Sequence, residues 1–358
     1  MDYSTILITG GAGFVGSTLA IKLQEQLPSA RVVALDNLKR RGSEFNLPRL
    51  RDAGVHFVHG DIRTPDDLSS AGSAFDLILE CSAEPSVLAG TDGNPSYVIQ
   101  TNLTGTLNCL ELARLHSADF VFFSTSRVYP VQHLRDLDIV EEESRFALCD
   151  DQSVPGASSR GISEAFPLAG PRTLYGATKL ASELMITEYQ DMYGIRTLIN
   201  RCGVIAGPWQ MGKVDQGVFA LWLLAHHYQR PLSYIGYGGS GRQVRDLLHV
   251  DDLYAALEVQ LDHLDTLQGE TFNLGGGRTG SLSLRETTEL CEAVTGNKIQ
   301  IGVDPDVRAG DIPVYVSDTT RFEKATGWRP RYEPEQVLTD TYEWIQEHDD
   351  ILRGILAV

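Results

Sequence analysis

The sequence predicts an α/β protein built on a doubly wound parallel sheet, with a smaller C-terminal domain. Short apolar runs alternate with amphipathic helical stretches through the first part of the chain, which is the pattern of parallel strands joined by crossover helices. Several of these runs end in glycine or polar residues, as at the carboxyl edge of such a sheet, where ligands bind. We therefore expect one domain over residues 1–205, with an insertion at 130–171 and a returning segment at 250–275, and a second domain over 206–249 and 276–358.

The first predicted strand leads into a glycine-rich turn that starts a helix. Gly10 suits the tight turn, Gly13 lets the backbone approach a pyrophosphate, and Gly16 lets the helix pack closely on the sheet. The N-terminus of this helix, at Phe14 and Val15, then faces the anion. The turn therefore indicates a Rossmann-type dinucleotide site, although a glycine-rich turn can also occur without a ligand.

The ends of the next predicted strands supply further cofactor contacts. The strand over 31–36 ends in Asp36 and Asn37. A carboxylate there accepts hydrogen bonds from ribose hydroxyls and repels a 2′-phosphate, which favours NAD over NADP, whereas the basic residues 39–41 weaken that preference. The strands over 55–58 and 75–79 lead to Asp61 and Ile62 at the adenine side and to Ala83 and Glu84 at the pyrophosphate side.

The catalytic candidates lie on the fifth strand and on the helix after the insertion. Tyr175 and Lys179 are four residues apart, so a helix places them on the same side. The ammonium then lowers the pKa of the phenol and favours a phenolate that can act as a base. The strand over 120–123 delivers Ser124 and Thr125 to the carboxyl edge. The alternative interpretation is an exposed aromatic residue beside a solvated cation.

Two helical stretches carry informative side chains. In the helix that contains Tyr175, the apolar residues Leu180, Leu184 and Tyr189 share one face. The helix over 97–116 carries Asn102, for which the simplest interpretation without a function is a polar residue on a solvated face.

The composition disfavours some partners. The net charge is −18, from 48 acidic and 30 basic residues, and binding of nucleic acid needs a basic face. Neither a signal peptide nor an apolar stretch of membrane-spanning length is recognisable. The five cysteines are scattered without metal-binding spacing, which indicates reduced thiols, a cytoplasmic protein and no metal site.

Three motifs together resemble the extended short-chain dehydrogenase/reductases that act on nucleotide sugars. They are Thr9-Gly10-Gly11-Ala12-Gly13-Phe14-Val15-Gly16, Tyr175-x-x-x-Lys179 and Arg245-Asp246-x-x-His249-Val250-Asp251-Asp252. Within that family the chain resembles the CDP-tyvelose (CDP-paratose) 2-epimerases, on the stretches 124–129, 174–179, 212–217 and 241–246.

This resemblance implies an enzyme that uses NAD to oxidise C2 of a CDP-sugar transiently and reduces it again on the other face. It implies that Tyr175 is the base, that Lys179 assists it and binds the nicotinamide ribose, and that Thr125 bridges the hydroxyl and Tyr175. The helices that begin near residues 97 and 174 form the homodimer interface in this family. Further cofactor contacts are expected from Ser124 and Val204, and substrate contacts from Arg245 and Arg308 at the diphosphate and from Glu84, Arg127, Glu164, Gln210, Lys213, Arg242 and Asn273.

Two departures from related enzymes bear on the reaction. Ser126 and Arg127 stand where the 4,6-dehydratases of the family carry an Asp-Glu pair for elimination, and Val204 stands where many 4-epimerases carry a substrate-binding asparagine. The alternatives are a UDP-sugar 4-epimerase, another nucleotide-sugar oxidoreductase such as an NADPH-dependent reductase, and a non-catalytic dinucleotide-binding regulator. The last class tends to lose the catalytic residues that are present here.

Overall fold

The computed structural model describes residues 2–91, 93–211 and 217–356. Its strands are, in chain order, β1 (Thr5–Thr9), β2 (Arg31–Asp36), β3 (His56–His59), β4 (Leu77–Glu80), β5 (Asp119–Thr125), β6 (Ile139–Glu141), β7 (Phe146–Leu148), β8 (Ala157–Ser158), β9 (Gly161–Ile162), β10 (Thr197–Cys202), β11 (Val204–Ala206), β12 (Leu232–Ile235), β13 (Val244–His249), β14 (Thr271–Leu274), β15 (Ser281–Ser283), β16 (Ile301–Asp304) and β17 (Val314–Tyr315). Its α-helices are α1 (Phe14–Gln26), α2 (Asn46–Asp52), α3 (Pro65–Ser70), α4 (Ser96–Ile99), α5 (Gly105–His116), α6 (Val131–Arg135), α7 (Leu174–Tyr193), α8 (Val218–His227), α9 (Val250–Asp262), α10 (Leu264–Leu267), α11 (Leu284–Thr295), α12 (Thr320–Thr326), α13 (Pro334–Glu347) and α14 (Asp349–Leu356).

Seven of the described strands form one sheet, in the order β14-β10-β5-β4-β1-β2-β3. β1 pairs in parallel with both β2 and β4, and the pairs β2–β3 and β4–β5 are parallel as well. The strand order reverses between β1 and β4, so their carboxyl ends border the crevice in which a doubly wound sheet binds its ligand. The predicted α/β fold with a doubly wound, Rossmann-type sheet is therefore confirmed.

The central strands are buried, which explains their continuous apolar runs. Ile6, Leu7 and Ile8 of β1 have no exposed surface, and every residue of β5 is buried. Parallel sheets are covered by helices on both faces, so their strands need not alternate between apolar and polar residues.

The predicted helix over 97–116 is present as three consecutive segments. These are α4, a π-helical turn over Gln100–Thr104, and α5. A π turn inserts an extra residue into the helix and changes the direction in which the adjoining side chains point. The π turn contains Asn102, and the side chain of Asn102 is buried.

The chain divides into two compact units. The first comprises Met1–Thr125, Leu174–Arg201 and Tyr254–Thr271, and the second comprises Ser126–Thr173, Cys202–Leu253 and Phe272–Val358. The domain boundaries expected from the sequence remain a proposal.

The second unit is built around β13, which pairs in parallel with β11 and β17 and antiparallel with β15. The segment 130–171, which lacks periodicity in the sequence, contains α6 and the hairpins β6–β7 and β8–β9. Neither α8 nor α11 is predicted from the sequence. Most residues of α8 are buried, so it lacks a polar face and a clear amphipathic period. α11 begins with a capping box between Ser283 and Glu286, a signal that is readable in the sequence.

No helix within residues 2–91, 93–211 and 217–356 is long and apolar enough to cross a membrane. Over the same residues, no group of three or more His, Cys, Asp or Glu side chains is arranged to hold a metal ion.

Candidate active site

The glycine turn between β1 and α1 brings backbone very close to backbone. Gly10 has a φ of +63°, and a Cβ added there would lie 2.9 Å from the carbonyl carbon and oxygen of Cys81. A Cβ on Gly16 would lie 2.2 Å from the Gly10 carbonyl oxygen. Gly13 is the N-cap of α1, and its cap position carries no side-chain hydrogen bond. No side chain therefore caps the helix N-terminus at Phe14 and Val15 through Gly13. An uncapped N-terminus of this kind can bind a pyrophosphate.

Asp36 ends β2 beside this turn. Its Oδ2 accepts a hydrogen bond from the Ala12 amide at 3.1 Å, and its Oδ1 accepts one from the Leu38 amide at 2.8 Å. Burial raises the pKa of this carboxyl, and the backbone hydrogen bonds oppose that rise. The carboxylate thus lies against the glycine turn, where the ribose-binding acid is expected.

The next strand end holds a small ionic cluster. Asp61 accepts a hydrogen bond from Asn37 Nδ2 at 2.9 Å and pairs with Arg63 Nη2 at 2.6 Å. The Arg63 guanidinium holds the pKa of Asp61 well below its usual range. Ile62 is buried and its carbonyl accepts from Asn108 Nδ2 at 2.8 Å. These residues adjoin one another, and their cofactor contacts stay a prediction.

Asn102 lies inside the protein, so the interpretation that places it on a solvated face is wrong. It has no exposed surface. Its Oδ1 accepts from the Glu84 amide at 2.7 Å, and its Nδ2 donates to the Glu84 carbonyl at 3.0 Å. Asn102 therefore holds the loop after β4, which contains Ala83 and Glu84, through both ends of its amide. The cause is the π turn together with the need to pair buried backbone groups.

The buried face of α7 is polar. Tyr175, Thr178, Lys179, Ser182 and Glu183 are all buried. The structure therefore excludes the alternative interpretation of an exposed aromatic residue beside a solvated cation.

Lys179 is enclosed by β4 and β5. Its Nζ lies 3.8 Å from the centre of the Phe122 ring and 3.8 Å from Glu80 Oε2. Thr125, at the end of β5, is buried at the same carboxyl edge. Glu80 is absent from the sequence-based candidates, although an acid that ends a buried apolar strand is a usable signal.

Glu183 joins α7 to β10 through a buried ion pair and to β5 through a hydrogen bond one residue before Thr125. Arg201 Nη2 donates to Glu183 Oε2 at 2.7 Å, and Ser124 Oγ donates to Glu183 Oε1 at 2.5 Å. Glu183 and Arg201 are also absent from the sequence-based candidates. Ser124, expected to contact the cofactor, thus has a structural partner on α7.

In the second unit, the arginines expected at the diphosphate adjoin one loop. Arg245 Nη2 pairs with Asp311 Oδ1 at 2.9 Å and donates to the Ile312 carbonyl at 2.8 Å. Arg127 Nη1 donates to the Gly310 carbonyl at 3.0 Å. Arg308 is exposed and belongs to the same loop. The structure thus brings Arg127, Arg245 and the loop of Arg308 together.

Asn273 forms hydrogen bonds to other residues of the second unit. It is fully buried, its Oδ1 accepts from the Tyr129 hydroxyl at 2.7 Å, and its Nδ2 donates to the Ile162 carbonyl at 2.8 Å. Its backbone amide donates to Glu164 Oε1 at 2.7 Å. Burial raises the pKa of Glu164. Both residues stabilise the segment around β8 and β9, so their substrate contacts stay a prediction.

The remaining expected contacts are dispersed. Gln210 Nε2 donates to the Ile205 carbonyl at 2.7 Å, Arg242 pairs with Glu141, and Val204 begins β11 in the second unit. Lys213 and the stretch 212–216 lie outside the described residues.

Comparison with known proteins agrees with this geometry. Residues 6–275 match the NAD dependent epimerase/dehydratase family. The chain is 29% identical to a CDP-paratose 2-epimerase of Salmonella typhi, with 95% of this chain and 98% of that protein covered. It is 33% identical to a low-salt glycan biosynthesis protein of Haloferax volcanii, with 93% and 96% covered. A solved structure of UDP-glucose 4-epimerase from Thermus thermophilus, in complex with NAD, matches with a TM-score of 0.75 at 26% identity and covers 96% of this chain and 99% of that one.

The NAD dependence of the matched family confirms the cofactor predicted from the sequence. The residues of the first unit fit it, because the turn at Gly10 and Gly16 leaves no space for side chains and Asp36 lies against that turn.

Proposed function

Because the chain belongs to the NAD dependent epimerase/dehydratase family, we propose that it inverts C2 of a CDP-sugar of the paratose/tyvelose type. The similarity to CDP-paratose 2-epimerase over nearly the whole of both chains supports this substrate class. Arg127 favours epimerisation over dehydration, whereas the choice of C2 depends on that similarity. A 4,6-elimination needs an acid and a base after Thr125, and this position instead holds a cation that donates to the Gly310 carbonyl at 3.0 Å.

The residues of this chain are expected to transfer a proton and to orient the substrate hydroxyl. The glycine turn at Gly10 and Gly16 together with Asp36 would hold NAD, which would supply reversible hydride transfer, so that the net reaction is redox-neutral. Tyr175, as phenolate, removes the proton of the C2 hydroxyl and later gives it back. Lys179 favours the phenolate through its charge, and Thr125 orients the hydroxyl toward Tyr175. Burial of these residues keeps bulk water from competing for the proton.

The sugar must turn over between the two half-reactions, so its own contacts have to be few. Binding energy then comes from the nucleotide diphosphate. Arg245 and Arg308 suit this role because a guanidinium donates parallel hydrogen bonds to phosphate oxygens. In the described structure Arg245 holds the Asp311 carboxylate, and a phosphate would compete for the same donors.

We further propose that the protein works as a cytoplasmic homodimer. α7 exposes Leu184, Met192 and Tyr193, and α5 exposes Leu115. Exposed apolar side chains of this kind, above all Leu184 on the side of α7 opposite the buried polar face, are commonly covered by another subunit.

The test offers CDP-, UDP- and GDP-linked sugars to the purified protein without added cofactor. NMR of the products shows which carbon is inverted, and substrates labelled with deuterium at C2 show whether the hydride returns to the same carbon. We expect inversion at C2 of a CDP-sugar with the deuterium retained, and loss of turnover in Tyr175→Phe. Inversion at C4 of a UDP-sugar would replace the C2 proposal with the 4-epimerase alternative. Absence of turnover with every sugar, despite bound NAD, would contradict both.

A further inference from the structure

Among the described residues of the first unit, three ion pairs have a buried acid, and one of these pairs differs from the others. Asp119 pairs with Arg196 at 2.6 Å and Glu183 pairs with Arg201 at 2.7 Å, both at hydrogen-bonding distance. Glu80 and Lys179 are separated by 3.8 Å, although both are almost fully buried. The loosest of these pairs therefore contains the lysine of the candidate active site.

Lys179 is the strongest of the groups that lower the pKa of Glu80, and the Ser82 amide and the Thr106 and Thr9 hydroxyls contribute less. Glu80 Oε1 is buried and makes no hydrogen bond to any described residue. Thr106 Oγ1 lies 3.5 Å from Glu80 Oε2 but only 2.9 Å from the Asn102 carbonyl. Because a hydroxyl has one proton, it donates to the nearer acceptor. The Lys179 ammonium is thus the main group that compensates this buried carboxylate.

Such a pair contributes little to stability. Desolvation of two charges costs about as much as their attraction returns, and apolar replacements are often neutral or stabilising. Burial raises the pKa of Glu80, and the charge of Lys179 opposes that rise. Tyr175 lies one helical turn before Lys179 on the buried side of α7, so the ammonium would act on the Tyr175 phenolate as well as on the Glu80 carboxylate.

We propose that Glu80 is a positioning residue of the reaction, which holds the Lys179 ammonium and offsets part of its charge, and so sets the pH range in which Tyr175 acts as a base. This inference rests on the proposed function, because it assumes that Tyr175 and Lys179 perform the proton transfer.

Other titratable groups face the pair without altering this arrangement. Cys109 of α5 lies near Glu80, and burial together with the charge of Glu80 raises the pKa of its thiol well above the usual value, so it stays neutral. Glu183, one turn beyond Lys179 on α7, forms an ion pair with Arg201, which balances its charge. The elements β1 and β5 contribute Thr9 and the Phe122 ring, which do not titrate.

The test is Glu80→Gln, which removes the charge and keeps the shape. Without the carboxylate, the pKa values of both Tyr175 and Lys179 fall, because a nearby negative charge raises the pKa of each. Both limbs of the pH profile of kcat/KM should therefore move to lower pH by about one unit. The phenolate absorbance of Tyr175, measured as the difference from Tyr175→Phe in each background, should move by the same amount without any substrate present.

Asp119→Asn is the matched control. It removes a carboxylate that is also buried and paired, but at the opposite end of β5. It should lower stability and leave both the kinetic and the spectroscopic midpoints unchanged.

A folded Glu80→Gln protein with unchanged midpoints would overturn the inference and reduce Glu80 to a packing residue. If Glu80→Gln does not fold, Glu80→Asp replaces it, because the shorter side chain keeps the charge but moves it away from Lys179 Nζ. The kinetic and spectroscopic midpoints should then shift in the same direction by a smaller amount. Unchanged midpoints would again overturn the inference. If the unaltered protein epimerises no nucleotide sugar, the proposed function fails, while the Tyr175 absorbance still decides the role of Glu80.

Discussion

The two faces of α7 contrast in polarity and in exposure. The face that carries Tyr175, Lys179 and Glu183 is polar and buried, whereas Leu184 and Met192 on other sides of the helix are 63% and 65% exposed. Burial usually selects the opposite arrangement, because apolar surface gains most from leaving water. The polar face can be buried because each charge has a partner, Glu80 for Lys179 and Arg201 for Glu183. The buried polar side chains of α7 thus belong to the proposed proton transfer, and its exposed apolar side chains belong to the proposed subunit contact.

The largest expected effect compares the same substitution at a buried and at an exposed tyrosine of α7. Tyr175→Phe should lower kcat about a hundred- to ten-thousandfold, because the base is lost, while KM changes little. Tyr193→Phe removes a hydroxyl from an exposed part of the same helix and should leave kcat unchanged. Steady-state kinetics on the sugar identified by NMR is the measurement. Similar losses in the two variants would show that Tyr175 acts through helix stability alone.

Glu183→Gln tests why the polar face can be buried. The substitution leaves Arg201 buried without a counter-charge, which costs about 3–5 kcal/mol of unfolding free energy. Glu188→Gln, at an exposed position of α7, should change stability little. Urea denaturation of the three proteins measures the difference. Equal midpoints would mean that the Glu183–Arg201 pair contributes nothing beyond a neutral hydrogen bond.

Leu184→Asp tests the apolar face and should have the smallest effect of the three. A charge within an apolar subunit contact should raise the dissociation constant of the dimer tenfold or more, which is about 1.4 kcal/mol or more. Val303→Asp places a charge at a similarly exposed apolar position in the second unit and should not alter association. Sedimentation velocity over a range of concentrations measures both. A monomeric unaltered protein would refute the proposed interface.

Much of the local structure follows from the sequence alone. The glycine turn, the acid at the end of β2 and the four-residue spacing of Tyr175 and Lys179 are readable because each depends on backbone geometry within a few residues. The alternation of strands and helices fixes the fold class for the same reason, since hydrophobic period and turn chemistry are local properties.

The tertiary structure alone decided which side of α7 is buried, where Asn102 points and which group compensates Lys179. Periodicity shows that a helix has an apolar face, but it cannot show whether that face meets a core or remains at the surface. Asn102 and Glu80 acquire their partners across 18 and 99 residues of chain respectively. The chain brings such pairs together only on folding, because the free energy of a buried charge depends on neighbours that are distant in sequence.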